Sequence, residues 1–180
     1  IMNSISLHLQ FASREQTSPE KMKKSIKKVN EVVASASEIL NGLLTFARKS
    51  ESNMMVVSLK KTCEDTLLLV EKNIMSHMIT VKSDLAEVAP SPHDTGQISQ
   101  VIMNLMNNAR DALEGRENKE ITLKLREEGE RIRLDIGDNG AGIPPKVLKR
   151  LFEPFVTSKP AGKGTGLGLS VCHGIVRNHK

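Results

Sequence analysis

The 180-residue sequence predicts an α+β protein, an antiparallel helical hairpin followed by a two-layer α/β sandwich. Three observations carry this reading. Met22, Ile26, Val29, Val33, Ala36, Leu40 and Leu43 alternate by four and three residues, the spacing of an amphipathic helix. Further on the period shortens to two, in Ile121, Leu123 and Leu125 and again in Ile132, Leu134 and Ile136, as in half-buried strands. Between 138 and 168 the chain is rich in glycine and proline, and a last helix begins near Gly168.

Residues 1–14 form a first helix, with Met2, Ile5, Leu9 and Ala12 on one face, and polar Glu15, Gln16, Thr17 and Ser18 end it. Ser18-Pro19-Glu20 opens the second helix: a capping hydroxyl, a proline at the first position and an acid in the first turn. This helix runs to about Lys49, and Val32, Ile39 and Phe46 add a second apolar stripe. So wide a face needs more cover than one short helix gives. The economical solution is a hairpin that pairs with its own copy as a four-helix bundle, so a homodimer is expected. Polar Lys49, Ser50, Glu51, Ser52 and Asn53 then divide the chain into a hairpin over 1–50 and a second domain over 51–180. The second domain reads as a short strand over 54–59, a helix over 59–73, a strand over 79–85 and a loop containing Pro90 and Pro92. A helix over 94–113 follows, then strands over 120–127 and 131–137 joined at Glu128-Gly129-Glu130.

With four Phe, no Trp and no Tyr, the core must be Leu, Ile, Val and Met, and nucleic-acid binding by aromatic stacking is disfavoured. The net charge of +5 suits an anionic ligand such as a nucleotide as well as nucleic acid or a membrane surface. The densest basic run, Lys21, Lys23, Lys24, Lys27 and Lys28, interleaves with Met22, Ile26 and Val29 and reads as the wet face of the second helix. Cys63 and Cys172 belong to no metal-spaced cluster and read as reduced core residues of a cytoplasmic protein. No apolar run is long enough to span a bilayer and no signal peptide is visible; a parent protein can still carry membrane segments upstream.

Three segments carry chemistry. In Gln100-Val101-Ile102-Met103-Asn104-Leu105-Met106-Asn107-Asn108-Ala109-Arg110-Asp111-Ala112-Leu113, the apolar positions face a core while Asn104, Asn108 and Asp111 share the adjacent helical face. An Asn carbonyl is a hard oxygen ligand for Mg²⁺ and its NH₂ donates to phosphate; capping or plain exposure is the alternative. Next, Asp138-Asn139-Gly140-Ala141-Gly142-Ile143-Pro144 follows a strand directly. A buried carboxylate there accepts from an exocyclic amine such as that of adenine, and small residues beyond it admit a flat ring, although Asp-Asn-Gly is also plain turn chemistry. Last, Gly162-Lys163-Gly164-Thr165-Gly166-Leu167-Gly168-Leu169-Ser170 opens a helix, whose free N–H groups bind phosphate. It fits neither the P-loop nor the Rossmann spacing, and a flexible hinge is the alternative.

In this order the three segments resemble the ATP site shared by histidine kinases, gyrase-type topoisomerases, the large heat-shock ATPases and mismatch-repair ATPases. Between the last two, Leu151-Phe152-Glu153-Pro154-Phe155-Val156-Thr157-Ser158-Lys159 resembles the phenylalanine box of the histidine-kinase branch, a mobile lid over the nucleotide. The resemblance covers roughly residues 20–180 and is to bacterial sensor histidine kinases of two-component systems. It implies ATP and Mg²⁺ as cofactors, a response-regulator receiver domain as partner, and no contact of this region with nucleic acid or membrane. By resemblance, Asn108 is the magnesium ligand and Asn104 a catalytic polar contact beside it. Asp138 holds the adenine amine; Gly140 and Gly142 open the way to the ring, with Ile143 alongside. Gly164, Thr165, Gly166, Leu167 and Gly168 shape the phosphate loop, Lys159 reaches the terminal phosphates, Asp111 completes the set, and Phe152 and Phe155 anchor the lid.

Hydrolysing members of this superfamily carry a glutamate four residues before the magnesium asparagine, as general base on water. Here that position is Asn104, whose amide takes no proton, so the site is expected to present ATP to another acceptor. The family's acceptor histidine is missing. Ile1-Met2-Asn3 resembles the end of the His-Glu/Asp-x-x-Asn box, placing the acceptor just upstream and making Asn3 the residue that in related kinases orients water for dephosphorylating the regulator; Ser4 replaces a frequent proline. His8 lacks the acidic neighbour and reads as a bundle-surface residue, and His77, His93, His173 and His179 as ordinary polar residues. Relatives continue past the last helix into two more strands. Two other readings stay open: a non-catalytic dimeric scaffold that docks a response regulator, and a hydrolytic ATPase of the same superfamily.

Overall fold

The computed structural model describes residues 2–13, 18–47, 53–159 and 164–179. Helices α1 (Met2–Ala12) and α2 (Pro19–Ala47) pack against each other. Helix α2 starts where the sequence signals it: the Ser18 Oγ accepts the Lys21 N–H at 3.4 Å and its carbonyl the Met22 N–H at 3.0 Å. All five lysines of the basic run are exposed. Met22, Ile26 and Val33 also stay 40%, 48% and 45% exposed, so α1 leaves much of the apolar stripe uncovered. The stripe positions Ile39, Leu40, Leu43 and Phe46 lie outside the described side chains, and the expected breaks at 15–17 and 49–52 outside the described residues.

The rest of the chain runs β1 (Met55–Val57), α3 (Leu59–Met75), β2 (Thr80–Leu85), β3 (Ser91–His93), α4 (Thr95–Ala112), β4 (Glu120–Glu128), β5 (Arg131–Asp138), α5 (Pro145–Leu148) and α6 (Gly168–Asn178). The main sheet is ordered β2-β4-β5, parallel in the first pair and antiparallel in the second. Ile121, Leu123 and Leu125 of β4 are fully buried on one face. Against them pack Ile102, Met106 and Leu113 from α4 and its end, with Cys63 and Ile74 of α3. Burial of the Cys63 thiol pushes its pKa from 9.0 up to about 11, so both cysteines, each buried and free, are inert core groups as expected. The other side of α4 packs through Val101 on Val171, Cys172 and Ile175 of α6. Helix α4 is therefore the central beam, with one side toward the sheet layer and the other toward α6.

Two short elements differ from the sequence expectation. The stretch read as a proline-containing loop includes β3, which pairs antiparallel with β1 in register Met55↔His93 and Val56↔Pro92. In a two-stranded sheet each strand has a free edge, where a proline's missing donor costs no ladder bond. The four-residue α5 lies inside the glycine- and proline-rich stretch, for which no element is expected before Gly168. His93 is also more than an ordinary polar residue: it is 3% exposed, its Nε2 stands 3.0 Å from Thr62 Oγ1 and its Nδ1 3.0 Å from the Ser91 carbonyl, tying β3 to α3.

The entrance to α4 is held from three sides. Asp94 Oδ1 caps it by accepting the Gln97 N–H at 3.0 Å, Asp94 Oδ2 accepts the Asn53 N–H at 3.1 Å, and the Asp94 N–H donates to His179 Nε2 at 3.1 Å. No helix among the described residues is long and apolar enough to cross a membrane.

Candidate functional site

One face of α4 carries Asn104, Asn108 and Asp111, and three other segments come to it. The 152–159 stretch brings Lys159, whose Nζ lies 2.5 Å from Asp111 Oδ2 and 3.3 Å from Asn108 Oδ1. The other oxygen of Asp111 accepts from Arg110 Nε at 3.0 Å and Nη2 at 2.7 Å, while Arg110 Nη1 donates to Asn73 Oδ1 at 2.9 Å and Asn107 Oδ1 at 3.1 Å. Burial raises the Asp111 pKa, but the hydrogen bonds and charges of Lys159 and Arg110 outweigh it and hold the carboxyl below the ordinary carboxylate value.

The glycine loop borders the same face. Phe155 and Gly166 meet backbone to backbone, the Phe155 N–H donating to the Gly166 carbonyl at 2.9 Å, and both have φ of +67°. A Cβ on Gly166 would stand 2.4 Å from the Phe155 carbonyl carbon, so only glycine permits this crossing. Gly164 lies along the Lys159 stem, and Thr165 Oγ1 accepts the Leu167 N–H at 3.3 Å. Leu167 is buried, and α6 starts at Gly168. Asn104 Nδ2 lies 3.5 Å from the Gly168 carbonyl and 3.7 Å from Cys172 Sγ, spanning from α4 to the first turns of α6. The expected Gly162 and Lys163 lie outside the described residues. Phe152 stacks on His173 of α6 with ring centroids 4.8 Å apart, whereas Phe155 is 65% exposed and held by its backbone.

Asp138, the last residue of β5, does not sit as expected. It is exposed rather than buried, and its Oδ1 accepts the Gly140 N–H at 2.8 Å, folding the loop over itself. Gly140 also differs in its reason. A Cβ there would stand 2.6 Å from Asp138 Oδ1 and 2.7 Å from the Ala112 carbonyl oxygen, to which the Ala141 N–H donates at 3.3 Å. The small residue lets the loop close on the end of α4; open space lies instead around Gly142, with half-exposed Ile143 next to it. Asn139 clasps the loop to the start of β4, accepting the Glu120 N–H at 2.9 Å and donating to the Asn118 carbonyl at 2.6 Å.

Asn108, Asp111 and Lys159 are thus in direct contact, Asn104 and Gly168 touch beside them, and the Asp138 loop joins the same helix at Ala112. Asn3 is exposed on α1, which packs on α2. Pattern reading missed Arg110, Asn139, His173 and the Ala112 carbonyl. Arg110 adjoins Asp111, and helical neighbours do not face each other; only a long guanidinium bending back makes that contact, which spacing does not encode. Two hollows of about 520 and 540 Å³ are lined by other residues, one at the starts of α3 and α4, the other between α3 and β2.

The donor set suits a cation and an anion together. Asn108 Oδ1 and Asp111 Oδ2 already share one cation, the Lys159 ammonium. Among the described residues no group of three or more His, Cys, Asp or Glu could hold a metal alone. A magnesium ion here would therefore draw most ligands from water and from an anionic substrate, its common habit in nucleotide sites.

Comparison with known proteins places the chain among relatives of one kind. Residues 93–180 match the family described as histidine kinase-, DNA gyrase B-, and HSP90-like ATPase. The chain is 36% identical over 166 residues to the two-component sensor PprA of Pseudomonas aeruginosa, covering 85% of this chain and 17% of PprA. It is 37% identical over 132 residues to the sensory histidine kinase/phosphatase NtrB of Salmonella typhimurium, covering 68% of this chain and 37% of NtrB. The solved catalytic domain of histidine kinase ThkA superposes with a TM-score of 0.62 at 28% identity, over 71% of this chain and 82% of that one. ThkA in complex with the response regulator protein TrrA gives a TM-score of 0.81 over 99% of this chain and 51% of that one; at 22% identity this likeness bears on the fold alone. The chain spans only 16% to 37% of the length of these curated relatives and of the sensor kinase CckA of Brucella abortus.

Proposed function

We propose that the chain, whose residues 93–180 match the family described as histidine kinase-, DNA gyrase B-, and HSP90-like ATPase, is the nucleotide-binding region of a bacterial sensor histidine kinase joined to its dimerisation hairpin. The observation that carries the reading is the meeting of Asn108, Asp111 and Lys159, which come from segments about 50 residues apart in sequence, beside the glycine loop that opens α6.

When bound, Mg²⁺-ATP supplies the phosphoryl group and the charge neutralisation its transfer requires. The chain's residues position it. Asp138 accepts the adenine amine at the end of β5, with Gly142 leaving room for the ring. Asn108 Oδ1 holds the cation, Lys159 takes the terminal phosphate oxygens, and the loop from Gly164 through Thr165, Gly166 and Leu167 turns the start of α6 at Gly168 toward the anionic tail. Asn104 is an amide, so no side chain at that position takes a proton from water. This supports transfer to a histidine of the helical hairpin, and from there to an aspartate of a response regulator, over hydrolysis. Asn3, exposed on α1, orients water for a separate step, hydrolysis of the regulator's aspartyl phosphate. The uncovered stripe Met22, Ile26 and Val33 supports pairing of two copies into a four-helix bundle.

Titration of the chain with a non-hydrolysable ATP analogue, with and without Mg²⁺, tests this. Wild-type protein should bind, and more tightly with the metal. Asn108→Ala should erase the metal dependence while metal-free binding persists. Asp138→Asn should weaken binding about tenfold under both conditions, the cost of losing one charge-assisted hydrogen bond. Unchanged affinity in both variants would refute the site.

A further inference from the structure

The Lys159 ammonium rests on the two oxygens that the proposed reading reserves for the ligand's cation and its surroundings: Asn108 Oδ1 at 3.3 Å and Asp111 Oδ2 at 2.5 Å. Both partners of the ion pair are about two-thirds shielded, with side chains 30% and 31% exposed, so separating them has a cost, although Asp111 keeps Arg110 at 2.7 Å. Asp111 cannot follow the lysine if it leaves. Its second oxygen is gripped by two nitrogens of Arg110, and Arg110 is in turn fixed to Asn73 on α3 and Asn107 on α4. The lysine stem runs along Gly164, where a Cβ would stand 2.9 Å from its Cδ, so the side chain that holds Asp111 also lies against the loop proposed to receive phosphate.

We infer that Asp111 is a resident counter-ion that parks Lys159 on Asn108, so that ligand entry is an exchange: Lys159 leaves Asp111 for the oxygens of an anionic nucleotide, and a divalent cation takes its place beside Asn108. The inference rests on the nucleotide reading above and adds to it the device that makes the site discriminate metal-loaded from metal-free ligand. A nucleotide without metal must break the Lys159–Asp111 ion pair with nothing to replace the ammonium, leaving the carboxylate to Arg110 alone. A metal-loaded one brings a cation that takes the place of the ammonium beside Asn108 and Asp111. Asp111 thereby enforces metal dependence without being a required inner ligand of the metal.

The test is a double-mutant cycle read by binding of a non-hydrolysable ATP analogue, with and without Mg²⁺. Asp111→Asn keeps an acceptor for Arg110 and removes only the charge. It should bind the metal-free analogue on the order of fivefold more tightly than wild type, with the enhancement by Mg²⁺ reduced correspondingly, since contacting charges couple at about this strength. In a Lys159→Met background the same substitution should bring no gain, because there is no parked ammonium to release. Asp111→Ser serves as the second variant if Asp111→Asn fails to melt cooperatively. An Asp111 variant that binds the metal-free analogue no better than wild type overturns the proposal. So does a gain that persists with Met at 159, which would mean simple repulsion between carboxylate and phosphate. Wild-type protein that binds no analogue under either condition overturns the functional reading, and the exchange with it.

Discussion

Asp111 is the residue whose behaviour follows most directly from its neighbours. Burial alone would raise its pKa, yet Lys159 on one oxygen and Arg110 on the other bring it below the ordinary 3.8. The carboxyl thus ionises at lower pH in the folded chain than in the unfolded one. Its stabilising contribution is fully present above about the unfolded carboxylate value and is lost as pH falls through its own lower pKa. Urea unfolding at neutral pH and near pH 2 should show the gap between wild type and Asp111→Asn closing at the acid end; an equal gap at both would contradict the pair. At this scale the sequence was legible where chemistry is local. The face shared by Asn104, Asn108 and Asp111 follows from helical spacing, and Lys159 does meet it. Asp138 was misjudged as buried because a strand terminus says nothing of what covers it, and here its nearest use is the Gly140 N–H.

Among the elements, α4 and the 152–168 stretch carry the site. The α4 limits were readable, since Asp94 caps the start and Leu113 closes the end, its N–H bonded to the Ala109 and Arg110 carbonyls. Strands β4 and β5 were readable from alternation to within one residue. β3 was hidden because Pro90 and Pro92 argue for a loop, and only the partner strand β1 makes it a strand. The Phe155–Gly166 crossing could not be foreseen at all, as it depends on two positive φ values eleven residues apart. It does yield a sharp expectation. Gly166→Ala adds a Cβ 2.4 Å from backbone in a conformation alanine resists, and should cost about 1–3 kcal/mol, seen as a fall of several degrees in Tm with loss of analogue binding. A variant melting with wild type would mean the crossing is not a fixed feature.

For the molecule as a whole, the period change from helical to alternating identified an α+β chain, and similarity to solved histidine kinases bears out that fold. The hairpin's dimerisation is an expectation of area: Met22, Ile26 and Val33 stand 40–48% exposed along one stripe of α2, a surface that association would bury. Ile26→Glu should convert a sedimenting dimer to monomer and leave analogue affinity intact; a wild-type chain that sediments as a monomer at micromolar concentration would contradict the bundle.

The most direct measurement for the central claim is a crystal structure of the chain with a non-hydrolysable ATP analogue and Mg²⁺. It should place the adenine amine at Asp138, the cation on Asn108 Oδ1, and the phosphates against residues 164–168 with the Lys159 ammonium drawn away from Asp111. A nucleotide bound elsewhere, or a cation with Asn108 turned from it, would contradict the account.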